Sequence, residues 1–81
     1  MNLLYFAWVR QKIGKGEEML TAPVSDVAAL IAHLKSLGPG YEDAFADLSR
    51  IRIAVNQHHA GLDAPVGPND EVAFFPPVTG G

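Results

Sequence analysis

The sequence predicts an α+β domain in which one main helix packs on one face of a mixed β-sheet. Apolar or alternating runs that are typical of strands stand near both ends of the chain, and one segment between them has apolar residues at helical spacing. The chain has 81 residues, of which 48% are hydrophobic, which is enough for one small core but not for a second domain. We therefore expect a single domain with two layers.

The first part of the chain predicts two strands. Residues 3–9 are apolar at every position and rich in aromatic and aliphatic side chains, which favours a central strand covered on both faces. A turn is predicted at residues 14–16, and the more polar residues 17–21 are expected to return as an edge strand. Together these segments predict a hairpin.

The main helix is predicted to follow Ser25 or Asp26, either of which can cap its first turn. Gly38 and Pro39 then end it. One stripe of apolar side chains at helical spacing would face the sheet. Its members are Val27, Leu30, Ile31, Leu34 and Leu37. Residues 41–48 predict a short second helix or turn.

The last third of the chain predicts three more strands. Residues 51–55 alternate between apolar and more polar side chains, residues 64–66 form a short return strand between two turns, and residues 71–75 form the last strand. The long connection through the helix allows the last strand to lie beside the first and parallel to it. This is the plan of a ubiquitin-like β-grasp domain.

Alternation along the strands predicts which aromatic side chains face outward. Phe74 and Phe75 must point to opposite faces, so Phe75 faces outward if Phe74 packs against the helix. The same parity places Leu4, Phe6 and Trp8 on the outer face. A contiguous aromatic patch of this kind favours a docking surface.

The chain stops at Gly80 and Gly81, directly behind Pro76 and Pro77. The prolines fix φ and lack N–H groups, so they end strand pairing and favour an extended conformation. Residues 78–81 would carry the unhindered carboxylate about 13 to 14 Å beyond them. We therefore divide the chain into a domain at residues 1–77 and an extended, flexible tail at residues 78–81.

Composition excludes several classes of function. The chain has no cysteine, so it has neither a disulfide nor a catalytic thiol, which fits a cytoplasmic location. Its net charge of -3, with six Lys and Arg residues, gives no basic stripe for nucleic acid. We find neither a leader nor an apolar run of about 20 residues, so no membrane association is expected.

The remaining polar residues predict no chemistry of their own. His58 and His59 are adjacent and would point opposite ways on a strand, so surface histidines are a better interpretation than a metal site. No Ser-His-Asp arrangement is visible. A Gly-Gly terminus is often only a frayed end, but the preceding Phe-Phe-Pro-Pro favours a functional tail.

Residues 6–10, residues 54–57 and above all residues 70–81 resemble the small subunits of molybdopterin synthase, and the match spans nearly the whole chain. Two features depart from that family. Asn69 stands where many relatives have glycine, although asparagine tolerates left-handed angles. The His58-His59 pair is also unusual for that family.

The resemblance implies a sulfur carrier that binds no cofactor. Gly81 would be adenylated by a ubiquitin-activating-type adenylyltransferase that uses ATP, and would then become a thiocarboxylate. The tail would insert into the large synthase subunit, within a heterotetramer, and give sulfur to cyclic pyranopterin monophosphate. The tail residues expected to insert are Pro77, Val78, Thr79 and Gly80. The residues expected to contact partners are Phe6, Trp8, His59, Phe75 and Pro76.

Three alternatives remain at this point. A thiamin-pathway sulfur carrier also ends in Gly-Gly but typically lacks Phe-Phe-Pro-Pro. A ubiquitin-like modifier would use the same activated glycine to form isopeptide bonds with lysines. A passive β-grasp interaction module would not use the tail at all.

Overall fold

A computed structural model of the protein describes residues 1–77, so the predicted tail at residues 78–81 lies outside the described residues. Its elements are, in chain order, β1 (Asn2–Tyr5), α1 (Ala7–Ile13), β2 (Glu17–Met19), α2 (Val27–Lys35), α3 (Pro39–Ala44), a 3-10 helix (Leu48–Arg50), β3 (Arg52–Val55), β4 (His58–Ala60) and β5 (Glu71–Phe75). No helix in this part of the chain could cross a membrane.

The strands form one mixed sheet in the order β2-β1-β5-β3-β4. The first and last strands, β1 and β5, are parallel neighbours at its centre, whereas the other pairs are antiparallel. Because this is the predicted mixed sheet with a parallel central pair, the α+β β-grasp prediction is confirmed.

The main helix α2 forms as its sequence predicts. The side chain of Asp26 caps it, with the N–H of Ala29 donating to Asp26 Oδ1 over 2.8 Å. Four members of the predicted apolar stripe are buried on this helix, whereas Leu37 lies beyond its end and is exposed. Pro39 then starts α3, where a missing N–H costs nothing.

The predicted first strand is wrong in its second half. Strand β1 ends at Tyr5, and Ala7 adopts a left-handed φ of 53° that turns the chain into helix α1. The helix still buries Val9 completely. An apolar run without alternation fits a buried strand and a buried helix equally well, so periodicity could not separate the two.

The predicted return strand at residues 64–66 is also wrong. In that segment, Pro65 contributes only an isolated bridge to Asp26. Strand β3 pairs with β5 on one side, and on its other side it pairs with β4, which follows at once after a turn of two residues. Both turn residues, Asn56 and Gln57, have positive φ, of 52° and 70°, as type I′ hairpin turns require.

The core lies between the sheet and the helices and is centred on Phe74, which is fully buried. The ring of Phe74 stacks on Tyr5 at a centroid distance of 5.9 Å and meets Phe45 edge-on at 5.0 Å. The inward side chains of β1, β3 and β5 complete this layer. The helices therefore cover one face of the sheet.

A carboxylate beside the core ties β2 to β1 and α3. Glu18 Oε2 accepts hydrogen bonds from the hydroxyls of Tyr5, at 2.8 Å, and Tyr41, at 2.7 Å. Lys15 Nζ lies 3.5 Å from Glu18 Oε1. Burial acts to raise the pKa of Glu18, but the hydrogen bonds from Tyr41 and Tyr5 and the charge of Lys15 outweigh it and lower that pKa.

Glu18 is therefore expected to contribute stability that depends on pH. Because its pKa is lower in the folded state, this contribution is complete above the pKa of an unfolded glutamate and is lost as the pH falls through the folded value. Glu18→Gln should lower the free energy of unfolding at neutral pH by about 1 to 3 kcal/mol, since hydrogen bonds to charged groups contribute about that much. Urea unfolding between neutral and acidic pH measures both effects.

The neighbouring Glu17 provides a matched control, because it lies on the same short strand but is exposed. Glu17→Gln should leave the stability at neutral pH close to that of the unmodified protein. Equal behaviour of the two variants would contradict a special role for Glu18.

Candidate docking face and carboxyl-terminal stem

The face of the sheet opposite the core is open, and we call it the open face. Leu4, Ala73, Ala54 and His59 form one row across it, because each is the registered partner of the next on strands β1, β5, β3 and β4. Successive residues of a strand point to opposite faces, so the side chains of this row point away from the core. The first three are half-buried, and His59 is exposed.

The open face contains an apolar depression of about 380 Å³. Its lining residues are Leu4, Phe6, Ala54, Gln57, Glu71, Ala73 and Phe75. The small side chains of Ala54 and Ala73 leave room between the two phenylalanines, and Phe6 remains 48% exposed. An apolar depression with exposed aromatic walls has the character of a protein docking surface.

The end of β5 brings the open face and the tail together. Phe74 is buried and Phe75 lines the depression, so the predicted opposite orientation of these two side chains is confirmed. The ring of His59 meets Phe75 edge-on at a centroid distance of 5.8 Å. Pro76 and Pro77 follow directly and are half-buried. The chain therefore continues toward residues 78–81 from the edge of the depression.

Trp8 does not follow the strand parity from which its outward position was predicted, because it lies on helix α1. The Arg50 guanidinium stands over its ring, 5.4 Å from the centroid. Such a contact between a cation and an aromatic face stabilises the packing of Trp8 within the domain. Trp8 is not among the residues that line the depression. Its contact with a partner stays a prediction.

Charged residues of both signs border the open face. Glu17 is the registered partner of Leu4, and Arg52 that of Phe75, while Glu71 lines the depression itself. Across residues 1–77, no group of three or more His, Asp or Glu side chains is arranged to hold a metal ion.

Sequence reasoning missed four lining residues of the depression, namely Ala54, Gln57, Glu71 and Ala73. The sequence carried a signal for Ala54. Apolar and more polar side chains alternate along residues 51–55, so Ala54 points to the face of the sheet opposite that of its neighbour Ile53, which faces the core. Gln57 carried no such signal. It reaches the open face only because a turn of two residues folds β4 back beside β3.

Comparison with known proteins gives the family of this chain. The ThiS family model matches residues 3–81. The chain belongs to the ThiS family. This ThiS family chain is 38% identical to the molybdopterin synthase sulfur carrier subunit of Escherichia coli, over 100% of the chain and 99% of that relative. It is 36% identical to the carrier subunit of the same name from Haemophilus influenzae, with the same coverage.

Solved structures show the same fold for this ThiS family chain. SAMP1 of Haloferax volcanii superimposes with a TM-score of 0.81 at 26% identity, covering 100% of the chain and 98% of SAMP1. A chain in the complex of subunits 1 and 2 of the molybdopterin-converting factor from Helicobacter pylori gives a TM-score of 0.67 at 25% identity, covering 99% and 96%. These similarities agree with the predicted resemblance to synthase small subunits.

Proposed function

We propose that this protein is the sulfur-carrier subunit of a molybdopterin synthase. The observation that carries the proposal is the similarity to the Escherichia coli carrier, which extends over the full length of both chains. The open face supports it, because an apolar docking surface borders the point from which the chain continues to Gly81. By itself the protein would be non-catalytic, and it would act as the sulfur-donating subunit of a sulfurtransferase.

The proposed chemistry takes place at the carboxylate of Gly81. A carboxylate is a poor electrophile, so an adenylyltransferase of the ubiquitin-activating type first joins it to the α-phosphate of ATP and releases pyrophosphate. A sulfur donor then displaces AMP and leaves a thiocarboxylate. This group is ionised and nucleophilic near neutral pH without a dedicated base. The thiocarboxylate sulfur attacks cyclic pyranopterin monophosphate, and water then cleaves the acyl–sulfur bond, which leaves the sulfur on the substrate and restores the carboxylate of Gly81. The protein contributes positioning.

In this proposal the large synthase subunit docks on the open face and receives the tail. Phe6 and Phe75 are the aromatic anchors, and the prolines at 76 and 77 restrict the path of residues 78–81. The Helicobacter pylori complex supports a partner of this kind, because it joins subunits 1 and 2 of a molybdopterin-converting factor. The domain would then bind the large subunit, and the tail would deliver the sulfur.

If the activating enzyme and the large subunit both bind through the open face and the tail, their binding should be mutually exclusive. Size-exclusion chromatography with light scattering on a mixture of all three proteins tests this. We expect one complex with the activating enzyme and a separate heterotetramer with the large subunit. A stable ternary species that holds one copy of this chain between both partners would contradict the shared surface.

A ubiquitin-like modifier is the second candidate, because SAMP1, the small archaeal modifier protein 1 of Haloferax volcanii, has the same fold over its full length. The two functions differ in their products. A modifier produces conjugates in which the terminal glycine is joined to lysines of other proteins, whereas a carrier produces a free thiocarboxylate. A thiamin-pathway carrier would form the same thiocarboxylate but would not bind the synthase subunit.

A further inference from the structure

The two residues of the turn between β3 and β4 differ in how their side chains are used. Asn56 fastens the turn to the start of β5: its Nδ2 donates to Asp70 Oδ1 over 3.0 Å, and its Oδ1 accepts from the N–H of Glu71 over 3.0 Å. The Asn56 N–H also donates to the Glu71 carbonyl over 2.7 Å. The side chain of Asn56 is therefore occupied within the domain.

The side chain of Gln57, unlike that of Asn56, is not used within the described domain. Its φ of 70° lies in the left-handed region, which favours glycine and is unfavourable for a long side chain. Within residues 1–77, its side-chain amide makes no hydrogen bond that would offset this strain. Gln57 is exposed and lines the apolar depression of the open face. The turn accounts for the backbone conformation of Gln57 but not for its side chain, whose amide is therefore available to a partner at the depression.

The surroundings of Gln57 define what it can bind. A primary amide offers both a donor and an acceptor, which is the same pair that a peptide group offers. The side chains of Ala54 and Ala73 are small, so the depression has room for the main chain of a partner. A partner that covers this apolar surface also removes water from the amide, and an amide buried without hydrogen bonds is unfavourable. The partner must therefore supply polar groups at this position.

We propose that Gln57 is a specificity-determining residue of the open face, whose side-chain amide hydrogen-bonds a main-chain segment of the large subunit. The inference rests on the proposed docking of that subunit. Many partners could cover the apolar surface of Phe6 and Phe75. A partner that buries the Gln57 amide without hydrogen-bonding it loses binding free energy, so the amide discriminates among partners. The turn fixes the backbone of Gln57 beside the depression.

Two substitutions separate the amide from the backbone. Gln57→Ala removes the amide and keeps a side chain at positive φ, whereas Gln57→Gly removes the amide and relieves the strain. Isothermal titration with the large subunit should show affinity about 5- to 10-fold weaker for both variants, equivalent to about 1 to 1.4 kcal/mol. Gln57→Gly should at the same time raise the Tm by about 4 to 8 °C, while Gln57→Ala leaves it close to that of the unmodified protein.

Phe75→Ala serves as the reference for docking itself. If both Gln57 variants bind normally and Phe75→Ala binds weakly, the role of Gln57 is refuted and the docking face stands. If only Gln57→Gly binds weakly, the backbone conformation is responsible and the role of the amide is refuted. If all three variants bind normally, the large subunit does not use the open face, and the docking proposal fails together with the inference.

Discussion

Deletion of Gly81 is expected to abolish thiocarboxylate formation and sulfur transfer while leaving the free energy of unfolding unchanged. Addition of one residue after Gly81 should have the same result, because each change moves the reactive carboxylate away from the position at which the activating enzyme must meet it. The buried core lies within residues 1–77, so the domain should not be affected. Reconstitution with the activating enzyme, ATP and a sulfur donor measures the loss.

Gly80→Ala provides a graded control for this prediction. The added Cβ restricts the conformations of the tail without moving the carboxylate along the chain, so sulfur transfer should fall but not disappear. Retained sulfur transfer by the deletion or the extension variant would refute the role of the terminal glycine.

Phe74→Ala is expected to lower the free energy of unfolding by about 3 to 5 kcal/mol, the range for truncation of a buried phenylalanine. Phe74 is fully buried, and its ring contacts both Tyr5 and Phe45. Small domains have a total stability of about 5 to 15 kcal/mol, so the loss is a large fraction of it. Urea unfolding followed by circular dichroism measures the change.

The adjacent Phe75→Ala is the matched control, because it removes the same side chain from the other face of β5. Phe75 lines the depression and is only half-buried, so its truncation should affect stability much less and should weaken binding of the large subunit. A swapped pattern, with Phe75→Ala destabilising and Phe74→Ala impairing only binding, would contradict the assignment of the two faces.

The elements with clear periodicity could be predicted from the sequence. Helix α2 has a capping residue and an apolar stripe, and β5 alternates between the core and the open face, so both form where the pattern places them. The alternation of β5 also gave the opposite orientations of Phe74 and Phe75. That part of the candidate site therefore follows from local sequence.

The errors arose where tertiary contacts decide the structure. The apolar run at residues 3–9 has no alternation, and the left-handed turn at Ala7 that ends β1 has no sequence signal, since alanine seldom adopts it. Strand β4 carries His58 and His59, and pairing with β3 rather than propensity makes it a strand. The position of Gln57 depends on that pairing, and the hydrogen bonds of Glu18 depend on contacts among β1, β2 and α3.

The intact mass of this protein, isolated from cells that contain its partners, tests the sulfur-carrier proposal most directly. The proposal predicts a population heavier by the difference between one sulfur and one oxygen atom, with fragmentation placing the change at Gly81. Omission of the activating enzyme should remove that population. An unchanged mass in the presence of all partners would contradict the proposal, and attachment of the terminal glycine to lysines of other proteins would identify a modifier instead.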